Sequence, residues 1–387
     1  MWGRFLAVVL LVKVVEGSIR TLSEEVWRKA TIYEIMPDRF NNPQGGLQCQ
    51  NPNTYCGGTF RGIKDEWAYI KGMNFRSVWI TPFVENTLNG YHGYWPLNWY
   101  SVNPAFGTEQ DFQDLLRTIS KKGLLTMLDM VFNHMGYGST YPSFYYYYNP
   151  FSYEPEFHDC IGCLADCSVP NTLPQVMDEK TYLQLWKCQL SNLPDLDQNN
   201  ATVTEEYIKV VSYLKGKYLI DGFRYDAIPY IYPDFMSLIS NMSEVFGLGE
   251  IFLDTSSNGT YQVIDRYLSA GKTTLSSSIG LDERQGTMSQ LDYQYYFAVM
   301  KCFAAVPDCC YDNPDIGCGQ ISYVRKRYTE MGAKQKLMGR FLESADVPRF
   351  LAQNNNTVVL QNALALLFFG EGIPISWQGI EQGMFSY

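Results

Sequence analysis

The chain has 387 residues, 46% hydrophobic and 18% charged, a composition that excludes a disordered protein and can supply one large core or roughly two to three smaller ones. Its formal net charge of −10 argues against a nucleic-acid partner, because phosphate binding needs a basic surface. Aromatic residues reach 15%, which weakly favours a carbohydrate ligand, since aromatic rings stack on sugars as well as filling cores.

The N-terminal residues 1–17 have the pattern of a secretory signal peptide. Arg4 precedes the apolar run Phe5–Val15, which is too short to cross a bilayer, and a cleavage before Ser18 follows small residues. Ten cysteines fit an oxidising compartment and a disulfide role. Four glycosylation sequons begin at Asn200, Asn241, Asn258 and Asn355. We therefore expect a secreted or lumenal glycoprotein, monomeric and without a membrane partner.

Short runs of apolar, β-branched and aromatic residues alternate with amphipathic stretches along the chain. The runs, predicted as strands, are Thr31–Met36, Ser77–Thr81, Leu124–Phe132, Tyr218–Arg224, Phe246–Ile251, Met288–Tyr293, Leu337–Leu342 and Ile373–Trp377. The predicted helices include Glu109–Lys122, Val203–Lys215 and Asn354–Phe369. This alternation predicts a parallel sheet in an α/β fold, and eight strands favour a TIM (β/α)₈ barrel. An open doubly wound sheet is the alternative, but no dinucleotide-binding fingerprint follows the first strand.

The interval 135–200 interrupts the alternation. It contains proline-rich turns and four of the cysteines, Cys160, Cys163, Cys167 and Cys188. We predict that it is a small subdomain, called subdomain B, inserted after the third strand and held by disulfide bonds. Residues 18–134 and 201–387 would then form the barrel, and the insertion would leave from the C-terminal face, where barrel active sites lie.

Acidic residues stand at the ends of four predicted strands, at Asp129, Asp226, Glu250 and Asp346. The carboxyl ends of parallel barrel strands meet at one mouth, and glycoside hydrolysis requires a pair of carboxyl groups there. A single Asp at a strand end is more often a turn former or a helix cap. The sequence around each acidic residue decides between the two interpretations.

Several segments resemble the α-amylase family, glycoside hydrolase family 13. Its four signature segments are similar, in order and spacing, to Asp129–His134, Gly222–Asp226, Gly249–Ile251 and Phe341–Phe350. Leu193–Asp197 resembles a fifth segment, and Tyr91–Trp95 and Gly372–Ile375 also match. The resemblance begins near Val26 and is strongest to fungal-type secreted α-amylases. It implies a retaining enzyme that cleaves internal α-1,4-glucosidic bonds in starch- or glycogen-type glucans.

The resemblance also implies a role for individual residues. Asp226 would be the nucleophile, Glu250 the general acid and then base, and Asp346 the carboxylate that binds the sugar 2- and 3-hydroxyls. The implied substrate-binding residues are His92, Tyr94, Trp95, His134 and Arg224. On physical grounds, Arg224 should lower the pKa of Asp226, because residues two apart share one face of a strand. Apolar neighbours should favour the protonated form of Glu250.

A structural calcium ion between the barrel and subdomain B is implied as well. Asn133 and Asp195 match two oxygen ligands of the family, and the carbonyl oxygen of Tyr230 matches a third; calcium prefers such donors. The family's acidic ligand from the insert has no clear counterpart. The alternative is that Asn133 and Asp195 only satisfy nearby backbone groups.

Disulfide pairing is implied at two places. Cys49 and Cys56 bracket a tight loop that is disulfide-bonded in relatives, and the segment at Cys160 resembles the start of the insert's disulfide, with Cys188 as its partner. The remaining cysteines, including Cys302, Cys309, Cys310 and Cys318, have no assigned partners.

Three departures from the family pattern stand out. The His expected before the third carboxylate is Ala345, which should lower turnover, and Ser344 replaces an Asn that chloride-activated animal amylases use, so we expect no chloride dependence. The Lys-His pair expected on the leaving-group side is Pro229-Tyr230. The chain ends at Tyr387, shortly after the eighth predicted strand, so we expect the last barrel helix and the C-terminal β-sandwich to be missing.

These departures keep two alternatives open. The changed residues after Asp226 favour an α-glucosidase or a glucan transglycosylase. The lost histidine favours a catalytically impaired glucan-binding protein, although such a protein has no chemical need for three carboxylates and Arg224.

Overall fold

A computed structural model describes residues 24–137, 147–170, 173–253, 258–270, 288–304 and 318–385. The predicted signal peptide, Cys309 and Cys310 lie outside the described residues. We number strands and helices in chain order.

Eight parallel strands form the central sheet of the described structure. In the order in which they pair, they are β8 (Met288–Gln290), β7 (Phe246–Gly249), β6 (Gly222–Tyr225), β5 (Leu125–Met130), β2 (Ser77–Ile80), β1 (Ile32–Ile35), β10 (Ile373–Trp377) and β9 (Gly339–Arg340). A parallel bridge between Leu291 and Gly339 joins the two ends of the sheet. The prediction of a (β/α)₈ barrel is therefore confirmed, and the open sheet is excluded.

The helices lie between these strands, and a short antiparallel hairpin of β3 (Val84–Asn86) and β4 (Pro96–Val102) follows β2. The helices are α1 Glu24–Arg28, α2 Pro37–Phe40, α3 Phe60–Asp65, α4 Trp67–Gly72, α5 Glu109–Lys121, α6 Glu179–Lys187, α7 Ala201–Lys217, α8 Pro233–Ser243, α9 Asn258–Ala270, α10 Tyr293–Phe303, α11 Gly319–Glu330, α12 Phe350–Gln353 and α13 Thr357–Phe369. Single 3₁₀ turns occur at Glu154–Glu156, Leu190–Asn192, Ile228–Tyr230, Gln335–Leu337 and Ile380–Gln382.

Local sequence explains α5 well. Thr108 and Asp111 form a capping box, in which each side chain accepts a hydrogen bond from the other's backbone N–H, at 3.2 and 3.0 Å. The buried side chains of the helix recur every three or four residues, at Phe112, Leu115, Leu116 and Ile119. This spacing places them on one face, which packs against the barrel.

The barrel core is sealed at the N-terminal ends of β6 and β7. The Trp27 ring stacks on Phe246 at a centroid distance of 5.0 Å. A Cβ atom on Gly222 would lie 2.7 Å from the Trp27 ring, so the ring packs closely against the backbone at Gly222. The strands themselves are buried on both faces, as expected for a parallel sheet covered by helices. The C-terminal ends of the strands are thus left to form the open face of the barrel.

The predicted disulfide-stapled insertion lies between β5 and α7, and its disulfides correct one expectation. Cys160 pairs with Cys167 and Cys163 pairs with Cys188, so the implied Cys160–Cys188 pairing is wrong. A turn brings Cys160 within 5.2 Å of Cys167, Cα to Cα, while Cys163 lies 5.5 Å from Cys188 at the end of α6.

Two further disulfides join residues of the barrel portion. Cys49 pairs with Cys56, as expected, and Cys302, which the sequence left unassigned, pairs with Cys318. In the part of the chain that the structure describes, no helix is both long enough and apolar enough to cross a membrane.

Candidate active site

A cavity of about 770 Å³ opens at the C-terminal ends of the barrel strands. Six of the eight residues predicted to react with or bind a sugar line it together: His92, Tyr94, His134, Asp226, Glu250 and Asp346. Leucines of the insertion, including Leu185, Leu190 and Leu193, form another part of the wall. The cavity is therefore a cleft between the barrel and subdomain B.

The backbone hydrogen bonds of the barrel sheet position the carboxylates of Asp226 and Glu250. Asp226 and Glu250 each stand one residue beyond a strand, and their backbone N–H groups donate to Met130 and Tyr225 at 2.9 and 2.8 Å. This continuation of the sheet by one residue directs both side chains into the mouth. Ala227, which adopts a left-handed conformation with φ 50°, donates its N–H to Glu250 Oε2 at 3.0 Å.

A single buried guanidinium joins three of the acidic groups. Arg224 contacts Asp129 Oδ1 at 2.9 Å, Asp226 Oδ1 at 2.6 Å and Glu250 Oε1 at 2.7 Å. The other oxygen of Asp129 accepts hydrogen bonds from Trp79 Nε1 at 3.2 Å and Tyr94 Oη at 2.9 Å. Arg224 does not line the cavity but lies beneath it, so its contacts are with the carboxylates.

Burial changes the expected electrostatics of Asp226. Burial, together with the nearby Glu250 and Asp129, raises the pKa of this carboxyl. Arg224 lowers the pKa by a smaller amount, so the net pKa lies well above the usual range. Burial and Glu250 also raise the pKa of Asp346, to about 7, against the opposing effect of Arg224. The expectation of a lowered pKa for Asp226 is therefore wrong, because burial and two neighbouring carboxyl groups outweigh the effect of Arg224.

The two cavity histidines are neutral at neutral pH, because burial lowers the pKa of each to about 4. His92 Nδ1 accepts the backbone N–H of Tyr94 at 3.0 Å, so the proton is on Nε2. His134 Nε2 contacts the carbonyl oxygen of Tyr94 at 3.0 Å, and its Nδ1 lies 3.3 Å from the Asn133 amide nitrogen. Both nitrogens of His134 thus contact protein groups, whereas His92 keeps a donor for a ligand.

Trp95 has an indirect place in the site. Its ring packs edge-on against His92 at 4.6 Å and against Tyr137 at 5.0 Å, and it is not among the residues that line the cavity. Trp95 therefore supports His92 from behind, and its predicted contact with substrate stays a prediction.

Comparison with known proteins identifies the family. Residues 34–266, more than half of the chain, match the model of the α-amylase catalytic domain. The chain belongs to the α-amylase family. It is 31% identical to the α-amylase mde5 of Schizosaccharomyces pombe, over 93% of this chain and 64% of that protein. It is 29% identical to α-amylase 2 of Schwanniomyces occidentalis, over 92% of this chain and 65% of that protein. The chain therefore spans just under two thirds of the length of these relatives.

A solved family structure has the same fold. The α-amylase of Geobacillus thermoleovorans, determined in complex with acarbose, superposes with a TM-score of 0.72 at 28% identity, covering 93% of this chain and 72% of that one.

The residues implied for the family's calcium site fit in part. Asn133 Oδ1 and Asp195 Oδ1 are both buried, and neither has a hydrogen-bond partner among the described residues. Two hard oxygen donors without partners are what a calcium site would present. The described residues contain no group of three His, Cys, Asp or Glu side chains arranged for a metal, so amide and carbonyl oxygens such as that of Tyr230 would have to complete the site.

His158 contacts the same aspartate and was not predicted from the sequence. Its Nδ1 lies 2.7 Å from the other oxygen of Asp195, and its Nε2 lies 3.2 Å from Asp197. Burial lowers the pKa of His158, but the two aspartates raise it more, to about 9. The Asp195 carboxylate therefore pairs with a cation of the insertion through one oxygen and leaves the other toward Asn133.

Tyr293 is the second unpredicted residue of the site. Its hydroxyl donates toward Glu250 Oε1 at 3.1 Å and lies 3.4 Å from Asp346 Oδ2. The available signal was its position, because Tyr293 lies shortly after the end of β8, at the same face of the barrel as the acidic residues. A search for acidic residues at this strand end finds the neighbouring Asp292 instead, whose carboxylate accepts the N–H of Tyr295 and pairs with Arg340.

Proposed function

We propose that this α-amylase family member hydrolyses internal α-1,4-glucosidic bonds of starch- or glycogen-type glucans with retention of anomeric configuration. The observation that carries the proposal is the placement of Asp226, Glu250 and Asp346 around one cleft, with Arg224 bound to the first two. A single guanidinium that spans both carboxyl groups favours the separation of about 5–5.5 Å used by retaining enzymes over the wider spacing of inverting ones.

In the proposed reaction, Asp226 attacks the anomeric carbon while Glu250 gives its proton to the departing glycosidic oxygen. The C1–O bond breaks, an ester forms between glucose and Asp226, and Glu250 becomes a carboxylate. Water then attacks C1, loses a proton to Glu250 and displaces Asp226. The proposed reaction requires Asp226 to be ionised and Glu250 to be protonated at its start.

Asp346 and His92 would bind the glucose unit that reacts. Asp346 would accept hydrogen bonds from the 2- and 3-hydroxyls, and the Nε2–H of His92 would donate to the same sugar. Tyr94, already fixed by its bond to Asp129, would form the floor under the ring. These groups are preorganised by the protein, so binding requires little rearrangement.

A change of specificity is the second candidate function. The wall next to Glu250 is formed largely by apolar side chains: Pro229, Tyr230, Phe252, Leu253 and Phe297. Sugar hydroxyls find few hydrogen-bond partners on such a wall, so a glucan on the leaving-group side would be held mainly by apolar and stacking contacts. This wall is the observation that supports an α-glucosidase or a transglycosylase as the second candidate.

A reducing-sugar assay on soluble starch with chromatography of the products separates the candidates. Short maltooligosaccharides would support the endo-hydrolase. Glucose alone or transfer products would support the changed specificity. Retained glucan binding without turnover would contradict both and support the impaired binding protein suggested by Ala345.

The disulfides and the predicted signal peptide together support secretion. Four disulfides occur among the described residues, and disulfide bonds persist in oxidising compartments. The sequon at Asn355 is exposed and lies just before α13, where a glycan can be accommodated. We propose that the protein is exported and carries a glycan at that site.

Calcium removal should destabilise the protein if Asn133 and Asp195 share an ion. A ligand that binds only the folded state stabilises it by about 2.7 kcal/mol at a hundredfold excess over its Kd, so EDTA should lower the Tm. Asn133→Ala should abolish this sensitivity to EDTA, whereas Asp197→Asn, which alters a neighbour that is not a predicted ligand, should keep it. An unchanged melting curve in excess chelator, with no metal in the purified protein, would show that Asn133 and Asp195 do not bind calcium.

Restoring the missing histidine by Ala345→His should raise kcat by roughly ten- to a hundredfold with little change in KM. Ala345 lines the cavity directly before Asp346, so an imidazole there would face the reacting sugar. A hydrogen bond that strengthens as charge develops lowers the barrier more than it stabilises the bound substrate. Kinetics on soluble starch test this, with Ala345→Phe as a control of similar bulk. A folded Ala345→His variant without a gain in kcat would show that this site has adapted to the smaller residue.

A further inference from the structure

Tyr293 is held rigidly at the start of α10. Asp292 caps this helix by accepting the N–H of Tyr295 at 3.0 Å, which fixes the backbone at Tyr293. The Tyr293 ring stacks on Phe252 at 4.4 Å with an interplanar angle of 9°, and Phe341 meets it edge-on at 4.9 Å. The side chain is buried, so the position of the hydroxyl oxygen is set by packing.

The Tyr293 hydroxyl contacts two carboxyl groups with different proposed roles. Glu250 Oε1, at 3.1 Å, also binds Arg224, and Glu250 Oε2 accepts the N–H of Ala227. Asp346 Oδ2 is 3.4 Å from the same hydroxyl. A phenol has one proton, so it donates to only one of these groups at a time, although its oxygen can also accept a hydrogen bond.

We propose that Tyr293 is a positioning residue for Glu250. The Tyr293 hydroxyl donates to Asp346 while Glu250 is protonated, and it turns to donate to Glu250 after Glu250 has lost its proton. This inference rests on the proposed function, because it requires Glu250 to alternate between acid and base.

Over one turnover Glu250 loses one proton and regains one. Protonated Glu250 gives its proton to the glycosidic oxygen as the C1–O bond breaks, and the resulting carboxylate then receives a hydrogen bond from Tyr293. When water attacks the ester, its proton goes to Glu250, and the Tyr293 hydroxyl turns back to Asp346. Tyr293 itself never ionises, because burial and the nearby Glu250 and Asp346 raise its pKa.

Tyr293→Phe removes the donor and keeps the ring. The carboxylate form of Glu250 loses a hydrogen bond to a charged group, so kcat should fall by about ten- to a hundredfold with a much smaller change in KM. Because the lost donor favours the charged form of Glu250, the basic limb of the pH–rate profile should move to higher pH. A purely structural role would lower the Tm without moving this limb.

The experiment compares wild type, Tyr293→Phe and the control Tyr296→Phe on soluble starch across the pH range, with Tm measured for each. Tyr296 is also buried in α10 and stacks on Phe341 at 5.4 Å, so its change tests the loss of a phenol from the same helix. Tyr293→Met provides a second side chain without a hydroxyl, in case Tyr293→Phe does not fold.

The outcomes separate this inference from the proposed function. A lowered kcat with a shifted basic limb in a hydroxyl-free variant at position 293, but not in Tyr296→Phe, supports the role of Tyr293. If wild type is active and the basic limb of the pH–rate profile does not move in the hydroxyl-free variant at position 293, the inference is wrong and the proposed function is unaffected. A wild-type protein that binds but does not cleave glucan overturns both.

Discussion

Asp226→Asn should abolish glucan hydrolysis while leaving the fold almost unchanged. The amide is close in size to the carboxylate but cannot form the glycosyl ester, so the covalent route is lost. Enzymes accelerate reactions by ~10⁶-fold and more, and a loss of several orders of magnitude in kcat is expected. The substitution also removes one of three carboxyl groups that share Arg224, so the Tm should not fall.

The measurement is kcat on soluble starch together with a melting curve. An activated α-glucosyl fluoride that forms a slowly hydrolysed ester should label wild type and leave Asp226→Asn unlabelled, as seen by peptide mass spectrometry. A suitable control is Asp111→Asn, which alters a carboxyl in the α5 capping box away from the cleft. Activity above a tenth of wild type in Asp226→Asn, or a label on another residue, would show that the proposed nucleophile is wrong.

Arg224→Leu should destabilise the protein by about 3–5 kcal/mol and eliminate activity. Removing one partner from a buried ionic group leaves charges without compensation, which costs far more than the loss of a surface ion pair. Three carboxyl groups, Asp129, Asp226 and Glu250, depend on this guanidinium, and it is 1% exposed.

The loss of unfolding free energy in Arg224→Leu should increase with pH. Burial already raises the pKa of Asp129 and of Asp226, and losing Arg224 removes the largest opposing effect on both. A carboxyl whose pKa is higher in the folded state than in the unfolded state contributes stability at low pH that is lost as pH rises through the folded pKa. Urea unfolding of Arg224→Leu should therefore show a larger deficit at pH 8 than at pH 5.

Arg224→Lys is the matched control, because it keeps the charge but not the forked geometry. It should recover much of the stability and little of the activity, since a lysine cannot bridge the carboxylates in the same way. A deficit for Arg224→Leu that does not change with pH would contradict the assignment of Arg224 as the shared counter-ion.

The barrel and the site carboxylates could be predicted from the sequence. Strand and helix patterns are local, with periods of two and about 3.6 residues, so they can be read without knowledge of neighbours. Parallel strands connected by helices close in few ways, and their carboxyl ends meet at one face. Asp226, Glu250 and Asp346 therefore came together as expected, although they are far apart in the chain.

Disulfide pairing was not determined in this way. Four cysteines between positions 160 and 188 allow three pairings. The resemblance to the family implied the wrong one. The turn after Cys160 and the end of α6 selected the observed pairs, because a disulfide forms only between cysteines that the backbone brings within about 4.4–6.8 Å, Cα to Cα.

The electrostatics of the site also depended on the tertiary structure. Arg224 is two residues from Asp226, so the sequence showed the interaction that lowers the pKa of Asp226. It did not show burial or the approach of Asp129 and Glu250, which together raise that pKa more. The fold decided the net direction, because desolvation and charge–charge interactions depend on distance in space and not on separation along the chain.

Tyr293 and His158 illustrate the same limit for single residues. Each has its function-relevant contacts with groups at least 37 positions away, Tyr293 with Glu250 and Asp346, and His158 with Asp195. Neither residue has a local pattern that distinguishes it from other tyrosines and histidines. The sequence by itself determined which strands form and which carboxyl groups end them. The tertiary structure decided which neutral and basic side chains meet those groups, since such meetings arise only when distant segments pack together.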